Sequence, residues 1–367
     1  MQRKTVAGIA ALLAVAGVFA ILLGTYAKVT AQPRLRLEPV ASFNFPWAMT
    51  ALPDGGFLVT ERAGRLAHVS AAGNVRDVSG VPPVQAEGQV GLHDIVLAPD
   101  YAQTSLVYLT WVDGPDGGAL HLGRARFDQA GLALENLEVL WRASVFGGGG
   151  HPGAMIALAP DGHIFLTSGD RQLGAPAQVL ADSRGKILRL TTDGAPAAGN
   201  PFPQAPEVWS YGHRNPYGLV FDGQNRLWSH EMGPRGGDEL NLIEGGRNYG
   251  WPLVSEGSEY SGGSIPVHAT RPEMTPPLIE WSPVIAPAGM VHYDGAVFPE
   301  WQGSLLIGGL ASEALVRVEI DGDTAHEAER WEAGNRIRDV IADNRGNVYL
   351  LEDGGEARLL RLSSTDR

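Results

Sequence analysis

The sequence predicts an all-β protein, a six-bladed β-propeller preceded by an N-terminal signal or anchor helix. Three observations carry this prediction. One turn–strand motif occurs six times, glycine and proline are spread along the whole chain, and an apolar run stands near the N-terminus. The 367 residues include 48 glycines and 25 prolines without a low-complexity tract, which is typical of a turn-rich globular protein.

The repeated motif is a turn of the Pro-Asp-Gly kind followed by a short strand rich in Val, Leu, Ile or Tyr. Its six copies begin at Leu52, Ala98, Ala159, Phe221, Phe298 and Ala342. A turn with one strand cannot bury its own apolar face, so six such units predict blades that pack around an axis. A β-sandwich would explain the alternation but would not require six copies.

The ends of a closed ring must be joined. The β-prone segment LRLEPVASF after Leu35 is predicted to complete the last blade beside RLLRLSS from Arg358. No charged or Ser-rich linker interrupts the chain, so residues 35–367 are expected to form one domain. Besides the N-terminal run, only residues 178–182 are expected to be helical.

The N-terminus has the pattern of an export signal. Arg3 and Lys4 precede an apolar run from Val6 to Leu23, which is also long enough to span a bilayer. Residues 1–31 are therefore expected to be a signal peptide or a membrane anchor, and both alternatives stay open. We expect an exported protein that is periplasmic or anchored to the outer face of the inner membrane.

Charge and composition exclude several classes of function. The net charge of −13 argues against nucleic acid as a partner, because that interaction needs a basic face. The absence of Cys excludes disulfides, thiolate catalysis and zinc sites built on sulfur. The ten histidines include no HExxH pattern, which argues against a zinc protease. A small neutral or cationic ligand is expected.

Four glycines run into His151, and the strand pair that follows ends at Asp170. Glycine permits close approach of the backbone to a flat ligand, and the phosphate-loop alternative lacks its Gly-Lys-Ser/Thr sequence. An imidazole can act as a base near neutral pH, and a nearby carboxylate would orient it. His151 is therefore a candidate base, with an ordinary loop histidine as the alternative.

Arg214 and Asn215 precede Pro216, which fixes a turn and presents both polar side chains from a rigid corner. A guanidinium there could bind carboxylates or stabilise an oxyanion. An inter-blade salt bridge is the alternative.

The block GPRGGDELNLIEGGRNYGWP offers oxygen ligands. Carbonyls at Gly233 and Pro234, followed closely by Asp238 and Glu239, suit a hard cation such as Ca²⁺. EF-hand spacing is absent, and a solvated acidic turn is the alternative.

Arg336 and Arg338 alternate on a predicted strand and so point to the same face. Two such cations repel each other unless an anion or carboxylates lie between them, and a polycarboxylate ligand would satisfy both. Simple surface exposure is the alternative.

Together these blocks resemble one family, the soluble pyrroloquinoline-quinone-dependent aldose sugar dehydrogenases, also described as glucose/sorbosone dehydrogenases. From about Pro46 to the C-terminus, the resemblance rests on EGQVGLHDIVLAPDY, the block from His151 to Asp170, YGHRNPYGL, GPRGGDELNLIEGGRNYGWP and RIRDV, in this order. It implies an enzyme that oxidises an aldose at the anomeric carbon to a lactone by hydride transfer to the quinone. The cofactors implied are pyrroloquinoline quinone and calcium, with an electron acceptor that is unknown.

The resemblance also implies roles for individual residues. In the substrate site, His151 matches the general base, Asp170 its carboxylate partner and Gln89 a polar neighbour. Around the cofactor, the matching residues are Arg214 beside the reactive carbonyl, Asn215 next to it, and Arg336 and Arg338 at the carboxylates. For calcium, they are the Gly233 and Pro234 carbonyls at the activating site, and Glu239 with the Tyr249 carbonyl at a second, structural site.

Three positions depart from the family's pattern. Met155 stands in the stretch after the histidine where a Gly-Gly-Arg-like sequence is usual, and the Ile-Ala-Pro segment lacks hydroxyls at Val284 and Ala288. Ala311 stands where a cofactor-contacting lysine is expected. These losses leave two alternatives: a non-enzymatic exported propeller that binds a partner, and a calcium-dependent hydrolase of the lactonase kind.

Overall fold

The structure is a computed structural model that describes residues 35–145 and 147–364. Contacts divide the chain into two units, and the larger one, Leu37–Ser363, contains the fold described below. The predicted signal or anchor segment, residues 1–31, lies outside the described residues and stays a prediction. None of the helices in residues 35–145 and 147–364 has the length and hydrophobicity needed to span a bilayer.

Within the described residues, 24 strands form six antiparallel four-stranded sheets, which confirms the predicted six-bladed propeller. Each blade is one sheet. The strands of the first three blades are β2 (Pro46–Ala51), β3 (Phe57–Glu61), β4 (Arg65–Val69) and β5 (Val75–Val78); β6 (Leu92–Leu97), β7 (Leu106–Asp113), β8 (Ala119–Asp128) and β9 (Ala133–Arg142); and β10 (Gly153–Leu158), β11 (Ile164–Ser168), β12 (Lys186–Leu190) and β13 (Val208–Tyr211).

The last three blades repeat this order, except that the N-terminal strand β1 joins the sixth. Their strands are β14 (Pro216–Phe221), β15 (Leu227–Glu231), β16 (Asp238–Ile243) and β17 (Ile279–Trp281); β18 (Pro287–Tyr293), β19 (Ser304–Gly309), β20 (Ala314–Asp321) and β21 (Thr324–Glu332); and β22 (Ile337–Ala342), β23 (Val348–Glu352), β24 (Ala357–Ser364) and β1 (Leu35–Phe43). The pairing of β1 with β24 is the predicted closure of the ring.

Each copy of the turn–strand motif supplies the second strand of one blade, together with the turn before it. The first strand of every blade contacts the first strands of both neighbouring blades, and β22 contacts β2. These six strands therefore surround the axis. Because all six run in the same sense, the segments that enter them meet at one end of the ring.

The core lies between neighbouring blades. At the junction of the sixth and first blades, Phe57 on β3 packs in one cluster with Tyr349 and Leu351 on β23, and the two aromatic rings lie 4.7 Å apart. Equivalent clusters join the first five blades in succession, and each removes apolar surface from water at roughly 25 cal/mol per Å².

Helix is scarce in the described ranges. An α-helix spans Tyr101–Thr104, and 3₁₀-helices span Ala175–Gln178, His268–Thr270 and Pro299–Trp301. The helix expected at 178–182 is wrong. The carbonyls of Pro176 and Ala177 accept hydrogen bonds from the Lys186 ammonium at 2.9 and 3.1 Å, so the chain turns instead of continuing a helical ladder.

Candidate active site

The segments entering the innermost strands place polar side chains from several blades at one end of the ring. A cavity of about 270 Å³ lies there. Its lining residues are Phe45, Pro46, Trp47, Arg62, Gln89, Tyr217, Met232, Ala286, Leu310, Arg336, Arg338 and Asp353. Three of the residues selected from the sequence, Gln89, Arg336 and Arg338, therefore share one cavity.

His151 stands at the edge of this site, just before β10. Its backbone N–H donates to Oε1 of Gln89 at 2.9 Å, and Tyr217 donates its hydroxyl to the same oxygen at 3.3 Å. The His151 backbone has a φ of 48°, an uncommon value for a residue other than glycine. Gln89 thus connects the backbone of His151 to the cavity wall.

The imidazole of His151 is paired with Asp170. Its Nδ1 lies 2.7 Å from Oδ1 of Asp170, and both side chains are buried. An ionised carboxylate only accepts hydrogen bonds, so Nδ1 carries the proton and Nε2 of the neutral ring keeps its lone pair. Burial lowers the pKa of His151, and the charge of Arg214 adds to this, against the raising effect of Asp170. The ring is therefore neutral near pH 7.

Asp170 is held by four donors. Besides His151, these are the backbone N–H groups of Gln172 (2.8 Å) and Gly174 (3.1 Å) and the indole N–H of Trp251 (2.7 Å). Burial by itself would raise the pKa of Asp170, but His151 and these hydrogen bonds outweigh it and lower that pKa below its usual value. The carboxylate thus stays ionised and correctly oriented.

The four glycines before His151 pack against protein. The guanidinium of Arg171 donates hydrogen bonds to four backbone carbonyls, with nitrogen–oxygen distances of 2.7 to 3.2 Å. These carbonyls belong to Gly148, Gly150, Gly117 and Gly118. A Cβ at Gly147 would lie 2.6 Å from Cβ of Arg171. The glycines therefore allow a close approach between this loop and Arg171, where the sequence had indicated a flat ligand.

Arg214 is buried and contacts Met232, a lining residue of the cavity. Its Nη1 donates to the Met232 carbonyl at 2.9 Å, and its guanidinium carbon lies 5.2 Å from the ring of Trp251 and 5.9 Å from that of Tyr260. Among the described residues no carboxylate forms an ion pair with this side chain, so the inter-blade salt bridge is not found. Its buried Nε has no hydrogen-bond partner within the described ranges.

Asn215 also presents a free donor. Its Oδ1 accepts the backbone N–H of Gly153 at 3.3 Å, while its Nδ2 is buried with no acceptor in the described part of the chain. Buried donors without partners cost free energy, so this corner is prepared for a ligand rich in acceptors.

Arg336 and Arg338 share a carboxylate. Nε of Arg336 lies 2.8 Å from Oδ2 of Asp353, and Nη2 of Arg338 lies 3.0 Å from Oδ1. Arg338 also lies over the ring of Trp47, at 4.5 Å. Burial would raise the pKa of Asp353, but the charges and hydrogen bonds of the two arginines lower it. Asp353 thus supplies the anion that the sequence required between them.

The predicted calcium ligands lie around β15 and β16. Gly233 donates its N–H to Oδ1 of Asp238 at 2.9 Å, and no described donor is bound to the carbonyl of Gly233 or Pro234. Glu239 is buried and stands opposite Glu231 in the strand register. Burial raises the pKa of Glu239 well above its usual value, and the charge of Glu231 adds to this.

The Tyr249 carbonyl belongs to the same region. His268 places Nε2 at 3.1 Å from this carbonyl and Nδ1 at 3.2 Å from Glu256, whose charge acts on Glu239. Over the described ranges, no three His, Cys, Asp or Glu side chains converge as metal ligands. A cation here would therefore depend on backbone and amide oxygens as well as carboxylates.

Three of the four residues that depart from the family's pattern lie at or beside the cavity. Met155 and Ala288 border a small second void next to Trp47, Tyr217 and Arg338. Ala311 directly follows the lining residue Leu310 and donates its N–H to the Ile285 carbonyl at 2.9 Å. Nothing in the structure explains Val284.

Lys186 does not replace the missing lysine. Its fully buried ammonium donates to three backbone carbonyls, those of Pro176, Ala177 and Arg184. Burial lowers the pKa of this amine to about 7. The ammonium is thus committed to the loop before β12.

Sequence reasoning missed Trp251, Tyr217, Asp353 and Arg62. Asp353 could have been selected from the sequence, because it comes just after β23, the second strand of its blade. Asp170 comes just after β11, which is the second strand of the third blade. The indole and phenol contacts carried none, because their partners are more than 80 residues away in sequence.

Comparisons with known proteins agree with this geometry. Residues 43–361 match the family model described as Glucose / Sorbosone dehydrogenase. The chain is 38% identical to aldose sugar dehydrogenase YliI of Escherichia coli strain K12, over 87% of this chain and 90% of that protein. It is 27% identical to quinoprotein glucose dehydrogenase B of Acinetobacter calcoaceticus, over 89% of this chain and 87% of that protein.

Solved structures give the same result. The apo form of the E. coli soluble aldose sugar dehydrogenase matches with a TM-score of 0.85 at 35% identity, covering 90% of this chain and all of that one. The aldose sugar dehydrogenase of Streptomyces coelicolor, solved with pyrroloquinoline quinone bound, matches with a TM-score of 0.76 at 31% identity, covering 91% and 98%. The chain therefore belongs to the glucose/sorbosone dehydrogenase family of oxidoreductases.

Proposed function

We propose that this protein oxidises aldose sugars at the anomeric carbon to lactones, with pyrroloquinoline quinone as cofactor and His151 as the base. The observation that carries the proposal is the buried His151–Asp170 pair beside an arginine-lined cavity, in a chain of this family. The quinoprotein relative and the quinone-bound neighbour support the choice of cofactor.

The residues present fit an acidic quinone. Pyrroloquinoline quinone carries carboxylates and carbonyls, so it is rich in hydrogen-bond acceptors. The site offers it the free Nε of Arg214, the free Nδ2 of Asn215 and the guanidiniums of Arg336 and Arg338. When bound, the quinone would supply the hydride acceptor, which no amino-acid side chain can provide.

The chain's own residues account for the proton. Nε2 of His151 removes the proton of the anomeric hydroxyl, and Asp170 stabilises the resulting imidazolium through its 2.7 Å hydrogen bond. Gln89 fixes the backbone that carries the base. The buried charge of Arg214 stabilises negative charge that develops at the site.

We propose two calcium sites on the same oxygen-rich segment. The unengaged carbonyls of Gly233 and Pro234 would hold an activating ion. Glu239 and the Tyr249 carbonyl would hold a structural ion, with the unpartnered Oδ1 of Asn241 beside them. A cation would relieve the repulsion between the buried Glu239 and Glu231, and oxygen donors are what Ca²⁺ prefers.

We also propose where the protein is located and which molecules it acts with. The export pattern of residues 1–31 supports a periplasmic protein or one tethered to the outer face of the inner membrane, with a domain over 35–367. The substrate is a small aldose, and two electrons from each turnover pass to an acceptor that is still unknown. The location is tested by fractionation of cells that express the chain with and without residues 1–31.

One titration tests the function. Apoprotein is mixed with pyrroloquinoline quinone and Ca²⁺, and the visible spectrum and dye reduction are followed with a panel of aldoses. We expect cofactor-dependent dye reduction that saturates with at least one aldose. A protein that binds no cofactor would support the non-enzymatic alternative, and hydrolysis of lactones without cofactor would support the hydrolase.

A further inference from the structure

The charge of the cavity contrasts with the charge of the protein. Its charged lining residues are three arginines, Arg62, Arg336 and Arg338, and one aspartate, Asp353, so the lining has a formal excess of two positive charges. The whole chain has a net charge of −13. An excess of cations in a concave site of an acidic protein favours an anionic ligand.

The three arginines are not equivalent. Arg336 and Arg338 both bind Asp353, so part of their charge is already compensated. Arg62 forms no ion pair with a carboxylate of the described residues. Its neighbour Glu61 is instead engaged by Arg65 at 2.8 Å.

The guanidinium of Arg62 is nevertheless held in place. It donates to the Gly88 carbonyl, and its carbon lies 5.2 Å from the ring centre of Phe45, another lining residue. A cation–π contact and one hydrogen bond leave most of the five donors of this guanidinium available. Arg62 is thus an oriented cation whose charge is uncompensated within the described site.

We propose that Arg62 binds a carboxylate of the quinone cofactor and supplies part of the positive charge that is absent at Ala311. This inference rests on the proposed function and adds to it a cofactor-binding residue on the first blade. Arg62 follows β3 of the first blade, Leu310 follows β19 of the fifth, and Arg336 and Arg338 lie at the start of β22 in the sixth. Three consecutive blades would therefore hold the ligand.

The cofactor is a better partner for Arg62 than the sugar. An aldose is neutral and gains only ordinary hydrogen bonds from a guanidinium, whereas a carboxylate gains a charge-assisted, bidentate contact. Lys186 cannot take this role, because its ammonium is bound to three carbonyls. Arg62 therefore compensates in part for the missing lysine, although it does not stand at position 311.

The test is the affinity of apoprotein for pyrroloquinoline quinone, measured by calorimetry in the presence of Ca²⁺. Arg62→Gln should raise the dissociation constant roughly tenfold to a hundredfold and make it less sensitive to salt. Arg62→Lys, which keeps the charge, should lose less. Arg76→Gln is the matched control, since Arg76 is an exposed arginine on β5, the outermost strand of the same blade.

A double variant tests the exchange of roles. In an Arg62→Gln background, Ala311→Lys should restore a large part of the lost affinity, because either cation can neutralise the acidic ligand. Thermal unfolding of each apoprotein checks that the variants fold.

Three results would overturn the inference. If Arg62→Gln binds the cofactor as tightly as wild type, Arg62 is not a cofactor contact, although the proposed function stands. If that variant changes only the KM for acidic sugars, Arg62 recognises substrate. If wild type itself binds no cofactor, both the proposed function and this inference are wrong.

Discussion

The indole N–H of Trp251 donates to Oδ2 of Asp170 at 2.7 Å, on the side of the carboxylate opposite to His151. Trp251 comes from the fourth blade's long loop, whereas Asp170 follows β11 in the third blade. Both oxygens of Asp170 are therefore occupied, one by the base and one by a fixed donor. The carboxylate cannot rotate without breaking one of these bonds, so the direction of the imidazole is set by contacts between blades.

His151→Gln should lower turnover roughly 10²- to 10⁴-fold with little change in thermal stability, because it removes a positioned base. His163→Gln is a matched control, since His163 also pairs with an aspartate, Asp161, at 2.9 Å but lies outside the site. Steady-state dye reduction with the reconstituted protein measures both. Near wild-type turnover in His151→Gln would show that another group takes the proton.

Asp170→Asn should change the pH dependence as well as the rate. The base works in its neutral form, so activity is lost as the pH falls through the pKa of His151, which burial already lowers below its ordinary value. Asp170 raises that pKa, so removal of its charge should move the acid limb of kcat/KM to still lower pH. The plateau value of kcat/KM at higher pH should also fall, because the imidazole of His151 loses the carboxylate that orients it. A limb that moves to higher pH would contradict the pairing.

The fold was predictable from local information, and the site only in part. Six turn–strand copies and the segment after Leu35 were sufficient for the blades and their closure, because each motif is a contiguous run with its own turn chemistry. His151 and Asp170 were found through their motif. The contact of Trp251 with Asp170 could not be found in this way, since the two residues are 81 positions apart and meet only when the third and fourth blades pack together.

The role of the glycines also depends on the folded structure. The four glycines before His151 indicated close approach to a ligand, and the structure shows close approach to the protein groups Arg171, Glu87 and Gln172. A sequence identifies a place where a side chain cannot fit. It does not identify the group that fills the space, because that group comes from the folded structure.

Leu351→Ala should destabilise the protein by about 2–5 kcal/mol, because Leu351 is fully buried at the junction where the sixth blade meets the first. Leu173→Ala is the control, since Leu173 is 54% exposed and should change the free energy of unfolding by less than about 0.5 kcal/mol. Denaturant unfolding measures both. Equal effects would mean that this junction is not part of the cooperative core.

Calcium should raise the melting temperature of the protein, and chelation should reverse the rise. A ligand at about 100 times its Kd stabilises the folded state by about 2.7 kcal/mol. Glu239→Gln should abolish the calcium response and, in chelator, should be more stable than wild type, because it removes the repulsion with Glu231. A variant that kept the full response to calcium would show that the ion binds elsewhere.

Ala311→Lys should tighten cofactor binding and leave turnover per bound cofactor nearly unchanged. Ala311 follows Leu310 on the cavity wall, so a lysine there would bring a point charge to the cavity that Arg336, Arg338 and Arg62 already line. A contact partly shielded from water is worth on the order of 1.5–3 kcal/mol, or roughly tenfold to a hundredfold in the dissociation constant. Wild-type protein should accordingly be purified with little cofactor and need it supplied together with Ca²⁺.

Calorimetry of both forms gives the affinities, and dye reduction at saturating cofactor gives the turnover. If the lysine left affinity unchanged, the wall at Ala311 would not face the ligand. If it also changed turnover at saturation, the missing charge would act on the chemical step and not on binding alone.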